Sequence, residues 1–224
     1  MTLSIIVPLL NEAQQLPGLL ERLLPLVHTG TEVIIVDGGS DDGSAAIAES
    51  AGFTVVRAAR GRARQMNAGA ALAAGDVLLF LHADTQLPEA AATWVARELA
   101  DARHLWGRFD VHISGRSRML RVVSRLMNLR SRLTGIATGD QAMFVARAAF
   151  DAVGGFPDQP LMEDIELSKR LLALSRPACI ARRVTTSGRR WETRGVWRTI
   201  LLMWRLRWDY WRGVPAQQLA EAYR

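Results

Sequence analysis

Hydrophobic positions in the first third of the chain form short unbroken runs separated by longer periodic stretches. Ser4 to Pro8, Glu32 to Val36, Phe53 to Arg57 and Val77 to Leu81 are rich in Val, Ile and Leu. Runs of this kind predict strands buried on both faces. Between the first two, Leu16, Leu19, Leu20, Leu23, Leu24 and Val27 recur at helical spacing, with Pro17 where a first turn tolerates it. Ser40 or Asp41 can cap a helix after the second run, and an Arg- and Ala-rich segment, Arg60 to Ala74, precedes the fourth. The alternation predicts an α/β fold: a mixed, mainly parallel sheet with helices on both faces.

The second half is less regular. A helix is expected from about Pro88, with Trp94, Val95 and Leu99 inward, then a strand from Leu105 to Ile113. Ser117 to Leu133 reads as a helix with Arg118, Arg121, Arg125 and Arg132 on one face and apolar residues on the other. Gln141 to Val145 suggests a strand, Gly154 to Pro157 a turn, and Glu163 to Leu174 a helix. Beyond these, Trp197, Trp204, Trp208 and Trp211, with Arg198, Arg205 and Arg212, predict a C-terminal amphipathic helix. The expected division is an α/β domain over residues 1–185 and a basic, Trp-rich helical segment over 186–224.

Charge sharpens that division. The 224 residues carry a formal net charge of +6, but Arg182 to Arg224 holds ten Arg against three acids, leaving −1 for the remainder. Such a segment suits the inner face of the cytoplasmic membrane, with packing on the α/β domain or on a second subunit of a homodimer as the alternative. Cys179 stands alone, so neither an intrachain disulfide nor a cysteine zinc site is expected, which fits a reducing cytoplasm. The N-terminus has no basic flank of a signal peptide, and no window of about 18 uncharged apolar residues occurs. No nucleic-acid module is recognised, so nucleic acid is not an expected partner.

Acidic residues follow the strands: Asn11-Glu12 the first, Asp37 to Asp42 the second, and His82-Ala83-Asp84 the fourth, with Glu163-Asp164 opening a later helix. Parallel sheets bind ligands at such strand ends. No Gly-rich dinucleotide turn follows the first strand and no G-x-x-x-x-G-K-[ST] occurs, which disfavours a Rossmann dehydrogenase and excludes a P-loop NTPase. Carboxylates at these positions suit a divalent cation chelated by a diphosphate, or the hydroxyls and ring N–H of a nucleoside.

Four ordered segments, Ser4 to Glu12, Val36-Asp37-Gly38-Gly39-Ser40-Asp41-Asp42-Gly43-Ser44, Leu79 to Asp84 and Glu163-Asp164-Ile165-Glu166-Leu167, resemble the motifs of family 2 glycosyltransferases over residues 3 to 175. A narrower likeness is to short bacterial members grouped with radical-SAM and selenium-related domains, some named for arsenosugar biosynthesis. The resemblance implies a GT-A fold, a nucleotide-diphosphate sugar donor, Mn²⁺ or Mg²⁺, inversion at the anomeric carbon, and a hydroxyl acceptor, lipid-linked acceptors included. It places Pro8, Glu12, Asp37 and Asp84 at the nucleotide sugar, Asp84 at the metal, and Asp164, with Glu163 beside it, as catalytic base. Beside these, Gly39 is a further candidate at the nucleotide sugar, His82 a second candidate metal ligand, and Arg64, with Arg60 and Arg62, a candidate to grip the diphosphate, a solvated basic helix face being the alternative. His82 stands where the D-x-D pattern has its first Asp, and Gly38 where V-D-D-G-S has its second. These departures leave open a catalytically weakened GT-A-like module that binds a membrane or a partner. A sugar-1-phosphate nucleotidyltransferase is weaker, because Leu9 to Pro17 lacks a Gly-rich basic loop.

Overall fold

A computed structural model describes residues 1–223. The strands are β1 (Leu3–Leu9), β2 (Glu32–Asp37), β3 (Thr54–Arg57), β4 (Val77–Phe80), β5 (Thr85–Gln86), β6 (Trp106–Ile113), β7 (Phe144–Ala146) and β8 (Ala178–Thr186). The helices are α1 (Leu16–His28), α2 (Ser44–Ser50), α3 (Arg62–Leu72), α4 (Ala91–Leu99), α5 (Met119–Thr134), α6 (Arg147–Ala152), α7 (Glu163–Leu172), α8 (Arg189–Arg194), α9 (Val196–Trp211) and α10 (Ala216–Tyr223). One mixed sheet runs in the order β3-β2-β1-β4-β7-β6-β8-β5. β1, β2, β3 and β4 pair in parallel, as do β6 and β8, while β7 is antiparallel to both its neighbours.

The unbroken apolar runs are explained by burial on both faces. Successive side chains of a strand alternate. Ile5, Val7 and Leu9 pack with Val33, Ile35 and Leu79 against α1, α2 and α4, whereas Ile6, Ile34, Val36, Leu78 and Phe80 pack against α3, α6 and α7. On the second face Phe80, Phe150 and Phe156 have ring centroids 4.8 to 5.8 Å apart. The Asn67 side chain donates to the Phe156 carbonyl (2.8 Å) and accepts from its N–H (3.0 Å), which fixes the entrance to the loop before α7.

Helix α5 departs from the expected two-faced pattern. Its inner positions include polar residues because β6 needs hydrogen bonds along an edge that β7 covers only at Trp106 and Gly107. Asn128 accepts from the Val111 N–H (2.8 Å) and donates to the Val111 carbonyl (3.0 Å), and Ser124 Oγ accepts from the Ile113 N–H (2.9 Å). These side chains satisfy backbone groups that a neighbouring strand would otherwise pair. Arg108, fully buried, donates to Ser131 Oγ and pairs with Asp110. Half of the apolar face therefore points outward: Val122, Leu126, Leu129 and Leu133 are exposed.

Strand β8 carries no clean alternation, since Ala181, Arg182 and Arg183 are exposed in its middle and its register with β6 shifts at Phe109/Asp110. It runs one residue past the expected boundary at 185. The segment beyond forms three helices, and Leu206 and Leu219 pack on Leu161, Met162 and Ile165. Trp94 is half-buried, with the Arg182 guanidinium 4.8 Å above its ring.

Candidate active site

The loops after β1 and β2 are joined by side chains. Asn11 has φ +54°, a left-handed conformation that Asn tolerates. Its N–H donates to Ser40 Oγ (3.0 Å), its Oδ1 accepts from the Asp41 N–H (3.0 Å), and the Glu12 N–H donates to Ser44 Oγ (3.0 Å). Asp42 accepts from the Ala13 N–H, and hydrogen bonds from Ser44 and Ala13 hold its carboxyl below the usual range. The acids of this loop thus divide their work: Asp42 ties the loops together, and Asp37, buried, accepts from the N–H groups of Gly39 and Ser40. Gly39 supplies the positive φ, +89°, that this turn requires.

The missing second Asp at Gly38 has a steric cause. A Cβ there would stand 2.9 Å from Cδ and Oε1 of Gln65. Gln65, buried on α3, donates from Nε2 to the carbonyls of Leu9 and Val36, both at 2.8 Å. It occupies the space a side chain at position 38 would need and closes the ends of two parallel strands.

A cavity of about 660 Å³ opens at these strand ends. Pro8, Glu12, His82, Asp84, Glu163 and Asp164 line it together. Asp37, Gly39 and Arg64 are not among its lining residues. Arg64 instead forms a two-point contact with Asp158 (2.7 and 3.0 Å) at the surface, while Arg60 and Arg62 reach the cavity. Helical geometry explains the exchange: residues two apart on a helix face away from each other, so Arg62 and Arg64 of α3 cannot share one site.

Asp84 accepts from Thr85 Oγ1 (3.2 Å) and Thr186 Oγ1 (3.5 Å), which tie the end of β4 to β8. Burial raises the pKa of Glu12, Asp84 adding to the effect and Arg189, 3.4 Å away, opposing it. His82 places Nδ1 3.4 Å from Asp140 Oδ1, on the 3-10 turn Gly139–Gln141. A Cβ at Gly139 would lie 2.3 Å from His82 Nε2, so the imidazole packs where only glycine leaves room. Burial works against the charge of Asp140, but His82, Arg62 and Arg207 outweigh it and keep its pKa below the ordinary value.

Met162, in the left-handed region at φ +65°, immediately precedes α7. A non-glycine residue held this way costs about 1–3 kcal/mol. The turn delivers two carboxylates to different surroundings. Glu163 is buried and pairs with Arg62 Nη1 at 3.3 Å; burial raises its pKa, with Arg62 opposing and Asp164 adding. Asp164 is half-exposed to the cavity, Oδ2 accepting from the Gly139 N–H (2.8 Å) and Oδ1 from the Ile165 N–H (2.7 Å). Glu163, Asp164 and Asp140 together outweigh burial and hold the Arg62 pKa above its usual value.

The C-terminal helices form the far wall, supplying Arg190, Trp191, Thr199, Met203, Arg207 and Tyr223. Arg190 stacks 3.8 Å over the Tyr223 ring and hydrogen-bonds its hydroxyl. The pattern of Trp and Arg along this segment says nothing of this inward face. Among the described residues no three His, Cys, Asp or Glu side chains converge as a ready-made metal site. The oxygen donor of Asp84 fits Mg²⁺ or Mn²⁺ of the kind held by one or two carboxylates with the remaining positions filled by diphosphate and water.

Residues 4–152 match the Glycosyl transferase family 2 model. The chain belongs to glycosyl transferase family 2. Among curated relatives it is 34% identical over 154 residues to the undecaprenyl-phosphate 4-deoxy-4-formamido-L-arabinose transferase of Pseudomonas fluorescens, covering 61% of this chain and 44% of the relative. The chain thus spans less than half of that relative's length. Among solved structures it is similar to a mannosyltransferase from Pyrobaculum calidifontis in complex with GDP-Man and Mn²⁺ (TM-score 0.62, 21% identity, 82% of this chain and 56% of that one). It is also similar to glucosyl-3-phosphoglycerate synthase from Mycobacterium tuberculosis in complex with Mg²⁺ and UDP (TM-score 0.63, 20% identity, 83% and 70%). At that identity the structural likeness establishes the GT-A fold of this family 2 domain.

Proposed function

We propose that this family 2 chain is an inverting glycosyltransferase that moves a sugar from a nucleotide diphosphate to an acceptor hydroxyl. The observation that carries the reading is the meeting of Asp84 and Asp164 across one cavity from strand and helix ends far apart in sequence. Pro8 and Glu12 wall the donor pocket, with Asp37 and Gly39 shaping the loop behind it. Of the three candidate arginines, Arg60 and Arg62 serve the donor side and Arg64 does not. Asp84, with His82 close by on the same strand end, would hold a divalent ion carried by the diphosphate. Such an ion, when bound, neutralises charge on the departing diphosphate.

In the transfer itself the acceptor oxygen attacks the anomeric carbon as the bond from that carbon to the diphosphate oxygen breaks. The hydroxyl proton passes to the Asp164 carboxylate, and the nucleoside diphosphate leaves with the bonding electrons. A single displacement inverts configuration. Asp164 is oriented for this by the N–H groups of Gly139 and Ile165, while Glu163 is held by Arg62 as a buried support. A general base contributes roughly 10²–10⁴-fold. Incubation with UDP, GDP and dTDP sugars and Mn²⁺, followed by NMR of the product, tests the reading: the sugar should appear with inverted anomeric configuration. Retention, or no turnover of any donor, would oppose it.

The narrower likeness to short transferases grouped with radical-SAM and selenium-related domains stays part of this proposal, the family match reaching family 2 as a whole. A peripheral membrane location is part of it too. Trp197, Leu201, Trp204, Trp208 and Trp211 are 58–75% exposed along one side of α9, flanked by Arg198 and Arg205. Among the described residues no helix is long and apolar enough to cross a membrane. Such a stripe suits an interfacial helix on anionic lipid.

A further inference from the structure

Helix α5 leaves an apolar face uncovered. Val122, Leu126, Leu129 and Leu133, 44–68% exposed, follow one another at steps of four, three and four. That spacing aligns them in one row about 16 Å long, on the side of the helix away from the buried Leu120, Val123 and Ser131. Single exposed apolar residues are ordinary, whereas a contiguous row of them marks a contact site. Arg118, Arg121 and Arg125, at steps of three and four, form a second exposed row beside the first. None of the three is ion-paired among the described residues. Six Arg and no acid stand between Asp110 and Asp140.

α5 is tied at both ends to the C-terminal helices. At its start the Arg116 N–H donates to Glu192 Oε1 of α8 (2.6 Å), and a Cβ at Gly188 would stand 3.0 Å from Leu120 Cδ1. Past its end, Ile136 packs in the cluster that holds Leu202, Met203 and Leu206 of α9. Met127 of α5 and Ile200 of α9 cover the same face of the sheet. The aliphatic row of α5 and the Trp row of α9 therefore lie on one flank of the molecule, with arginines bordering both.

Charge decides what covers that flank. A second copy docked through α5 would set arginine rows against each other, or against Arg198 and Arg205 of α9, with no acid on α5 to pair them. Like charges facing across an interface are costly. Anionic headgroups supply the missing charge, and the boundary between headgroups and acyl chains takes up leucine and tryptophan side chains.

We propose that α5 and α9 together form a docking surface for an anionic bilayer, the leucines of α5 and the tryptophans of α9 inserting at the interface and Arg118, Arg121 and Arg125 lying on the headgroups. The α9 half rests on the peripheral location proposed above; the α5 half stands on its own row and charges, and neither depends on sugar transfer.

Flotation of the full chain with phosphatidylcholine vesicles, with and without phosphatidylglycerol, tests the surface. Wild type is compared with Leu126→Gln plus Leu129→Gln, Arg121→Gln plus Arg125→Gln, and Trp204→Ser plus Trp208→Ser. Leu72→Gln is the control, an exposed leucine on α3, which covers the other face of the sheet. Wild type should float with the anionic vesicles and not with the neutral ones. The leucine pair should bind about tenfold or more weakly, and the arginine pair about fivefold more weakly for each charge removed. Leu72→Gln should bind as wild type does. All the exchanged side chains are exposed, so melting temperatures should stay within about 3 °C, which separates lost binding from lost folding. Undiminished binding by the leucine pair removes α5 from the surface, whatever the tryptophan pair does. Loss in the leucine pair with undiminished binding by the tryptophan pair keeps α5 and overturns the shared surface with α9. No flotation of wild type overturns the proposal outright, and a dimer in light scattering that the leucine pair dissolves then assigns the face to a second copy.

Discussion

Replacing Gly38 by Ala tests why this chain lacks the second Asp of its motif. Gly38 does not use the left-handed region, so alanine's conformation is permitted and the added methyl is the perturbation. It would stand 2.9 Å from two atoms of Gln65, which is anchored by two 2.8 Å hydrogen bonds to Leu9 and Val36. Overpacking costs about 1–3 kcal/mol, and displacing Gln65 would cost about as much by orphaning two carbonyls. The lower entropy of unfolded alanine returns about 0.4–1 kcal/mol. The expected net destabilisation is about 0.5–2 kcal/mol, or about 1–8 °C in melting temperature for a chain of this size. In a Gln65→Ala background the clash disappears, and Gly38→Ala should become neutral or stabilising by up to about 1 kcal/mol. Urea unfolding of the four proteins in a double-mutant cycle measures this. Equal effects of Gly38→Ala in both backgrounds would refute the steric account.

Other consequences are equally direct. Asp164→Asn should cut transfer by roughly 10²–10⁴-fold with donor affinity unchanged, measured by product formation and by titration. Asp140 has a depressed pKa, so its contribution to stability is full above the unfolded value of 3.8 and is lost as pH falls through the lower folded value. Asp140→Asn should therefore flatten the acid limb, visible in urea midpoints at about pH 5 and about pH 3. Trp204→Ser with Trp208→Ser should lower co-sedimentation with anionic vesicles without shifting the melting temperature, since both rings are exposed; undiminished binding would remove α9 from any membrane contact.

The central strands and the acids at their ends were legible because burial on both faces leaves an unmistakable run of Val, Ile and Leu, because Asp84 comes shortly after such a run, and because Glu163-Asp164 opens a helix. The phase of a helix was not: nothing in Arg60 to Arg64 says that Arg62 faces the cavity and Arg64 faces Asp158. Strand β8 was illegible because its bulge and exposed Ala181, Arg182 and Arg183 break the alternation. Gln65, Gly139 and Asp140 act through contacts distant in sequence, and only the pairing of β1 with β2 and of His82 with the turn after α5 brings them to the site. The C-terminal segment showed its outward Trp stripe plainly, while its inward Arg190, Arg207 and Tyr223 looked like more of the same basic surface.

Binding of UDP, GDP and dTDP sugars to wild type and Asp84→Ala, each with Mn²⁺ and with a chelator, tests the central claim most directly. The account predicts that one donor binds wild type, that Mn²⁺ strengthens binding about tenfold or more, and that Asp84→Ala abolishes the metal's effect. A wild-type chain that binds no nucleotide sugar under either condition would contradict it and favour a domain that has kept the fold for docking alone.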